Sequence, residues 1–409
     1  MGIKSILKKC PLIVKAYRSY CEYKSILRTY WIPHKKNELI SCKYRRYPLQ
    51  NKIVFNNFQG RGYGCNPKYI AEAFLKLEKP WDLVWLVEDM NTPMPEGIRK
   101  VKFYGKESFY ELATAKVIIN NVKGDLNFRK RRGQLYIQTW HGGFGFKYAE
   151  RDAIDKLPPD YIRESKDNSK ITDLFLSNSP IMTQIYRNAF WCTCEVLEKG
   201  LPRMDFFFRE DAPALKQKIR RTLGLSDDVK LAMYAPTFRD GSDSLEDYDM
   251  DFESLSRALV QRFGGKWTVL CRLHPNVKQE VVDSPYYLDV SKYPDMQELL
   301  LLADILITDY SSTIFEFAEM GKPVFIYAND VEEYRQNRGL RPEFYELLFS
   351  CAESNEQLTQ AILDFDEARY SKDVAALNEK YAPFDDGHAS EAVVEYVLNW
   401  DKNRKRKSK

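Results

Sequence analysis

Two doubly wound α/β domains are predicted by three features of this 409-residue chain. Short β-branched and aromatic runs alternate with helical patterns from residue 51 to about 370, the arrangement of βαβ units and parallel sheets. The runs are too numerous for one small sheet, and the pattern breaks once and then restarts. The expected strands are Lys52–Asn56, Leu83–Val87, Lys116–Asn120, Leu135–Thr139, Leu174–Ser177, Leu231–Tyr234, Trp267–Leu273, Ile305–Thr308 and Val324–Tyr327. Between them, apolar residues three or four apart predict helices over Pro67–Leu77, Lys106–Ala115, Pro180–Asn188, Pro213–Leu223, Phe252–Phe263, Met296–Ala303 and Thr313–Met320. The break falls at Gly200-Leu201-Pro202 and the charged Arg209-Glu210-Asp211, which sets the domain boundary at about residue 205. The expected division is thus 51–205 and 206–400, with a segment of 1–50 before them and a tail of 401–409 after.

Composition narrows the function classes. The chain is 44% hydrophobic and 29% charged, with a mean hydropathy of −0.50, and no run approaches the roughly 18 to 20 apolar residues of a spanning helix. Residues 1–30 lack a continuous apolar stretch and a small-x-small cleavage site, so they do not read as a signal peptide, and a cytoplasmic protein is expected. The eight cysteines are scattered without C-x-x-C spacing, as free thiols are in a reducing compartment. Alternation over Phe190-Trp191-Cys192-Thr193-Cys194 suggests a strand with both thiols on one face.

Charge is distributed unevenly. Residues 1–50 carry a net +10 and residues 401–409 a net +5, which leaves −11 for the body between them. An acidic body argues against an extended nucleic-acid surface, so no nucleic-acid partner is expected. Basic ends with Ile13, Tyr17, Tyr20, Leu27, Tyr30 and Trp31 among the charges suit an anionic membrane surface, each Lys or Arg contributing on the order of 1 kcal/mol. The plainer alternative is a solvated helix packed on the body.

Ligands of open parallel sheets sit beyond the carboxyl ends of the strands, so chemistry is sought there. One strand runs into His141-Gly142-Gly143, where glycines let backbone approach a ligand and an imidazole can take a proton from a hydroxyl. Another ends in Arg272-Leu273-His274, whose alternation puts the cation and the imidazole on one side, suited to an anion such as phosphate. A third stops at Asp309 and passes through Ser311, Ser312 and Thr313 into a helix, whose unpaired backbone donors can cradle a diphosphate, with Glu316 one turn on for a ribose. A fourth feeds Pro236-Thr237 with Arg239 at its exit, where Asp240 or Asp243 can instead pair with it. The acidic Asp247-Tyr248-Asp249-Met250-Asp251 reads as a loop capping the next helix rather than a metal site, and Gly60-Arg61-Gly62-Tyr63-Gly64 lacks dinucleotide-binding spacing.

Six segments in order resemble the CDP-glycerol glycerophosphotransferases, the teichoic-acid primases and polymerases. They are Gln138-Thr139-Trp140-His141-Gly142, Gly200 to Asp205, Tyr234 to Asp240, Arg272-Leu273-His274-Pro275, Thr308 to Ser312, and Asp386-Gly387-His388-Ala389-Ser390-Glu391. The resemblance spans about residues 50 to 400. It implies the two-Rossmann GT-B fold and attack by an acceptor hydroxyl on the β-phosphorus of a CDP-activated polyol, expelling CMP. His141 and His274 are the catalytic pair it implies, with His141 the general base. The implied donor side is Thr237, Arg239, Arg272, His274, Asp309, Ser311, Ser312, Thr313 and Glu316, in the second domain. The implied acceptor side is Gly142, Gly143, Lys147 and Arg203, in the first. Implied partners are a CDP-polyol, a lipid-linked glycan or polyol-phosphate acceptor, and the inner membrane face through residues 1–50. No cofactor is required by this mechanism, and Mg2+ is optional.

Two departures fall on the acceptor side. The family's H-G-T-P-L-K is one residue longer here, His141 to Lys147, without the Thr and Pro, and Arg203-Met204-Asp205 stands for R-N-D. The competing readings are a glycosyltransferase of the same fold using a nucleotide sugar, and a catalytically inactive membrane-associated scaffold of envelope assembly.

Overall fold

The computed structural model describes residues 11–407 apart from 79, 125, 127, 240–243, 275–276, 278–283, 345 and 347–350. Asp240, Asp243 and Pro275 therefore lie outside the described residues. Two parallel sheets organise the chain. The first contains β1 (Gln50–Asn56), β2 (Asp82–Val87), β3 (Ile98–Lys102), β4 (Ala115–Asn120), β5 (Leu135–Gln138), β6 (Leu174–Ser177) and β7 (Glu195–Glu198), in the order β3-β2-β1-β4-β5-β6-β7. The second contains β8 (Val229–Tyr234), β9 (Lys266–Cys271), β10 (Tyr287–Asp289), β11 (Ile305–Thr308), β12 (Val324–Tyr327) and β13 (Cys351–Ala352), in the order β10-β9-β8-β11-β12-β13. Winding direction reverses between β1 and β4 in one sheet and between β8 and β11 in the other, and such switch points open a crevice at the strand ends. This is the two-sheet α/β architecture expected.

The helices are α1 (Pro11–Ile26), α2 (Ile32–Cys42), α3 (Cys65–Leu75), α4 (Lys106–Thr114), α5 (Pro159–Ile171), α6 (Pro180–Ala189), α7 (Ala212–Thr222), α8 (Phe252–Phe263), α9 (Met296–Leu302), α10 (Thr313–Glu319), α11 (Val331–Arg338), α12 (Asn355–Leu363), α13 (Glu367–Tyr381) and α14 (Ala389–Lys407). Their starts follow local chemistry. Ser179 Oγ accepts from Met182 N ahead of Pro180 at the first turn of α6, and Asp251 accepts from Ser254 N at the start of α8. The acidic 247–251 loop therefore does end in a helix cap. None of the described helices is long and apolar enough to cross a membrane.

Four strands escape the apolar pattern, and they are the four edges: β3, β7, β10 and β13. An edge strand has one neighbour and need not be apolar on both faces, so Ile98-Arg99-Lys100-Val101-Lys102 and Glu195-Val196-Leu197-Glu198 carry little of the signal that marks the interior strands. The Phe190–Cys194 run is not a strand: it is a turn with Trp191 in a left-handed conformation, and β7 begins only at Glu195. The turn still brings Cys192 Sγ within 3.2 Å of Cys194 Sγ.

Chain ends return to the first lobe. Val393, Val394 and Val397 of α14 are buried with Ile53, Ile70, Leu174 and Leu176 of the first core. Asp205 caps α14 by accepting from Ala389 N (2.9 Å) and Ser390 N (2.7 Å). At the other end α1 packs on α5 and α2 on α4, and Tyr30 is buried with its hydroxyl donating to Asp167 (2.8 Å). Earlier in that segment Tyr17, Tyr20 and Tyr23 are 58 to 67% exposed.

Candidate active site

β5 ends at Gln138, and Trp140 takes a left-handed conformation (φ 53°) before the chain presents His141. Three contacts pin that strained residue: Trp140 N donates to Gln138 Oε1 (2.9 Å), Asn66 Nδ2 donates to Trp140 O (3.1 Å), and the indole meets Phe190 edge-on. His141 Nδ1 lies 2.8 Å from Asn121 O. A carbonyl only accepts, so Nδ1 carries the proton and Nε2 holds the lone pair. The ring sits on the cleft floor with an accessible edge, between Trp140 and Phe58. Desolvation, with Arg203 and Lys147 nearby, holds its pKa down to about 4, so the imidazole is neutral at pH 7.

Asn121 belongs to a ladder of buried asparagines at the first switch point that sequence reasoning missed. Asn56 Nδ2 donates to Asn120 Oδ1 (2.9 Å), and Asn121 Nδ2 donates to Asn57 Oδ1 (2.8 Å). The available signal was two Asn-Asn pairs, Asn56-Asn57 and Asn120-Asn121, each at the carboxyl end of an interior strand.

From Gly142 the loop crosses to the other lobe. Phe144 and Phe146 are buried in the second core, against Phe315, Phe344 and Tyr381, and Arg341 N donates to Phe146 O (2.7 Å). The departure from the family's loop sequence is thus a two-phenylalanine anchor. The crossing is close-packed: a Cβ on Gly142 would lie 2.9 Å from Ser312 Oγ, and one on Gly143 2.7 Å from Asn178 Nδ2, so either side chain would have to shift. Lys147, expected on the acceptor side, is carried by this crossing to the second lobe, where it pairs backbone with Leu340. Burial holds its ammonium down to about 8, with Asp309 opposing and Arg239 and Arg338 adding to the fall.

The second lobe's switch point is built from charge. Asp309 is buried and accepts from Thr237 N (2.9 Å), Thr237 Oγ1 (2.5 Å) and Arg239 Nη2 (2.8 Å). Arg239 also donates to Asp330 (2.5 Å) and lies 4.9 and 4.8 Å from the ring centres of Tyr310 and Tyr334, which stack on each other. Burial works against its charge, but the Asp309 and Asp330 carboxylates more than offset that and its pKa rises. Asp309, Thr237 and Arg239 therefore form a closed scaffold in this structure, and Asp330 is a second carboxylate that pairs with Arg239. Arg272 Nη1 is fixed by Val290 O (3.1 Å) and Tyr293 O (2.7 Å). His274 is exposed beside Phe238, and desolvation followed by the charges of Arg61, Lys147 and Arg272 lowers its pKa. Ser311 Oγ accepts from Thr313 Oγ1 (2.8 Å) at the start of α10, and Ser312 lies against Gly142 and Gly145.

Two expected ligand contacts are corrected. Glu316 is 1% exposed, with Oε1 on Arg203 and Oε2 accepting from Gln297 Nε2 (3.2 Å), so it presents no oxygen to a ribose. Arg203 is also buried: besides Glu316 it donates to His141 O (2.6 Å), which makes it a support beneath the imidazole rather than an acceptor contact. This ion pair joins the two lobes directly under His141. Two motifs, Gly200 to Asp205 and Asp386 to Glu391, turn out to clasp each other through the Asp205 cap, and Leu201 N donates to the adjoining Asp385 (2.7 Å).

His141 and His274 thus come from opposite lobes, and Lys147 lies close enough to depress the proton affinity of both. Among the described residues, no group of three or more His, Cys, Asp and Glu side chains is set to hold a metal ion.

Residues 39–399 match the family model described as CDP-glycerol:poly(glycerophosphate) glycerophosphotransferase. A teichoic acid poly(glycerol phosphate) polymerase of Bacillus spizizenii is 29% identical over 367 residues, covering 85% of this chain and 91% of that protein. One of Staphylococcus epidermidis is 30% identical over 395 residues, 89% of this chain but 54% of the longer relative. The solved wall teichoic acid polymerase TagF, as a histidine-to-asparagine variant soaked with CDPG, superposes with a TM-score of 0.81 at 27% identity, covering 97% of this chain and 99% of that one. The chain belongs to the CDP-glycerol:poly(glycerophosphate) glycerophosphotransferase family and is a CDP-glycerol glycerophosphotransferase.

Proposed function

We propose that the cleft transfers glycerol phosphate from CDP-glycerol to a hydroxyl of a membrane-linked cell-envelope polymer precursor, with CMP as the leaving group. His141 Nε2 takes the proton from the acceptor hydroxyl as its oxygen attacks the β-phosphorus. The bond from that phosphorus to the oxygen bridging to the α-phosphate breaks, its electrons leave with CMP, and a phosphodiester forms. Arg272, His274 and Lys147 face the diphosphate and oppose the charge that develops, with Ser311, Ser312 and Thr313 donating at the start of α10. Positioning and fixed charge supply most of the rate in this scheme, and Mg2+ is an accessory rather than a requirement. The observation that carries the reading is the neutral His141 with its lone pair on Nε2, sharing Lys147 with His274 across the cleft.

The test is to incubate the purified chain with CDP-glycerol, CDP-ribitol or UDP-sugars and a membrane extract, with and without EDTA, and follow nucleotide release. CMP from CDP-glycerol supports the reading; UDP from a sugar nucleotide and no CMP would replace it with the glycosyltransferase alternative. An inner-face peripheral location completes the proposal. Three basic segments meet in the fold: Arg131 Nη1 donates to Tyr47 O (2.9 Å), burial and then the charge of Arg45 lower the pKa of Arg131, and the Arg404 guanidinium lies against Gly133. The exposed Tyr17, Tyr20 and Tyr23 lie along the same terminal segment. Flotation with phosphatidylglycerol vesicles but not with phosphatidylcholine vesicles is expected; equal recovery with both would remove the membrane claim.

A further inference from the structure

α3 begins between the two lobes, and its first turn serves both. Asn66 holds the turn that carries the base: its Nδ2 donates to Trp140 O (3.1 Å), just before His141, and its Oδ1 accepts from Arg203 N (3.1 Å). Two residues on, Lys68 reaches the other lobe. Its ammonium pairs with Asp295 and lies 3.5 Å from Glu298, and the neighbouring Tyr69 hydroxyl donates to Asp295 (3.0 Å). Asn66, Lys68, Tyr69 and Asp295 are all buried.

Local chemistry gives no reason for a lysine there. The start of a helix carries partial positive charge and favours acids, yet α3 has no acid in its first turn and places an ammonium in it, and burial adds a second cost. The offset comes mainly from across the interface. Burial works against the Lys68 charge, but Asp295, with Glu72 and Glu298 adding to it, more than restores it, so the pKa is raised.

Asp295 in turn closes the segment that holds the second lobe's cation. Its Oδ1 accepts from Gln297 N (3.0 Å) and caps α9. Just before it, Val290 O and Tyr293 O fix the Arg272 guanidinium, and Ser291 Oγ accepts from Leu273 N (2.9 Å), one residue short of His274. The contacts also form a ring: Asp295 leads through Gln297 to Glu316, Glu316 to Arg203, Arg203 to Asn66, and Asn66 along the helix to Lys68. This ring crosses between the lobes twice, at Arg203–Glu316 and at Lys68–Asp295. One crossing is a pivot about which a lobe can turn; two fix an edge. The first lies under His141, and the second ends the segment that holds Arg272.

We propose that Lys68 is a positioning residue for the transfer: through Asp295 it sets where Arg272 and the strand end bearing His274 stand relative to His141. The proposal rests on the transferase reading above. It divides the work of one helical turn, with Asn66 holding the base and Lys68 the diphosphate side, so the two residues should fail in different kinetic constants.

The experiment uses the full chain with CDP-glycerol and a membrane extract, and compares K68M, K68R, N66A and the double variant K68M/D295N with the wild type by donor KM, kcat and thermal unfolding. K68M should raise the donor KM about tenfold, the size of a lost charge-assisted contact, and lower kcat as well, since Arg272 meets the diphosphate both at rest and as charge develops. N66A should lower kcat about tenfold or more, as a misplaced base does, with the donor KM within about twofold. K68R keeps a cation against Asp295 and should recover most of the donor KM. K68M alone strands a buried carboxylate and can fail to fold, whereas the double variant removes both charges and keeps an amide to cap α9. Its unfolding transition should return toward that of the wild type while its donor KM stays about fivefold high or more. A double variant that recovers both would make the pair purely structural and overturn the proposal. So would an unchanged donor KM in K68M, or a K68M defect confined to kcat like that of N66A, and in these cases the transferase reading stands. A wild type that releases no CMP overturns that reading, and the proposal with it.

Discussion

The two switch points that face each other across the cleft are built on opposite principles. At the first, neutral amides do the positioning: Asn56, Asn57, Asn120 and Asn121 hold one another, and Asn121 holds His141. At the second, paired charges do it: Asp309 and Asp330 clamp Arg239 beside the stacked rings of Tyr310 and Tyr334. The difference has a chemical reason. A general base must stay neutral and keep a lone pair, so ionised carboxylates beside it would raise its pKa and blunt the distinction between free and protonated forms. The diphosphate side has no such constraint, and there an ion-paired scaffold can hold loops in place while Arg272 and His274 meet the ligand.

The largest effect expected from this comparison is on the neutral side. H141A should lower CMP release about 10²- to 10⁴-fold, the range a positioned base contributes, with an unchanged thermal unfolding transition. A loss below tenfold would deny His141 the role of base. Removing Asn121's side chain in N121A leaves its carbonyl in place and so should cost far less than H141A, which separates the proton acceptor from its bracket.

Next in size is the seam between the two principles, the buried Arg203–Glu316 pair under His141. Breaking a buried pair strands a charge, so R203M or E316L alone should destabilise the fold by about 3 to 5 kcal/mol, while the double variant should recover much of that. Denaturant unfolding of the three proteins checks it. Equal losses in single and double variants would mean that Arg203 acts through His141 O and not through Glu316.

These pairs also mark what the sequence could not disclose. Interior strands such as Leu174–Ser177 and Ile305–Thr308 were read to the residue because both faces are buried and the apolar run is unbroken. The four edges lacked that run. At the site, His141 and His274 were legible because a strand ending in an imidazole is uncommon among four histidines. Roles that depend on a partner were not. Arg239 looks like a ligand cation until Asp330, 91 residues later, claims it, and Glu316 looks like a ribose acceptor until Arg203, 113 residues earlier, does. Residue type announces a charge; only the fold says which neighbour takes it. The asparagine ladder was overlooked for the converse reason, since amides at strand ends read as turn formers and their pairing requires the register of β1 against β4.

The finest test concerns the residue shared by both sides. The acid limb of kcat/KM, which reports the free enzyme, should fall near pH 4 and not near the ordinary histidine value of about 6.5, because His141 is held down to about 4. On the alkaline side Lys147, held at about 8, loses its proton and with it a charge that faces the diphosphate, so activity should decline above that pH. Stability follows the same sign: the unfolded chain binds a proton at His141 that the folded one refuses, so between about pH 6.5 and 4 that residue makes the fold less stable as pH falls. K147M removes one of the cations that depress His141 and His274, so its acid limb should move upward in pH and its alkaline limb near 8 should vanish, with a loss at pH 7 matching the wild type's decline above pH 8. An acid limb that stays where the wild type has it would show that burial and Arg203 hold His141 neutral unaided, and that the crossing loop contributes its phenylalanines to the second core without its lysine tuning the base.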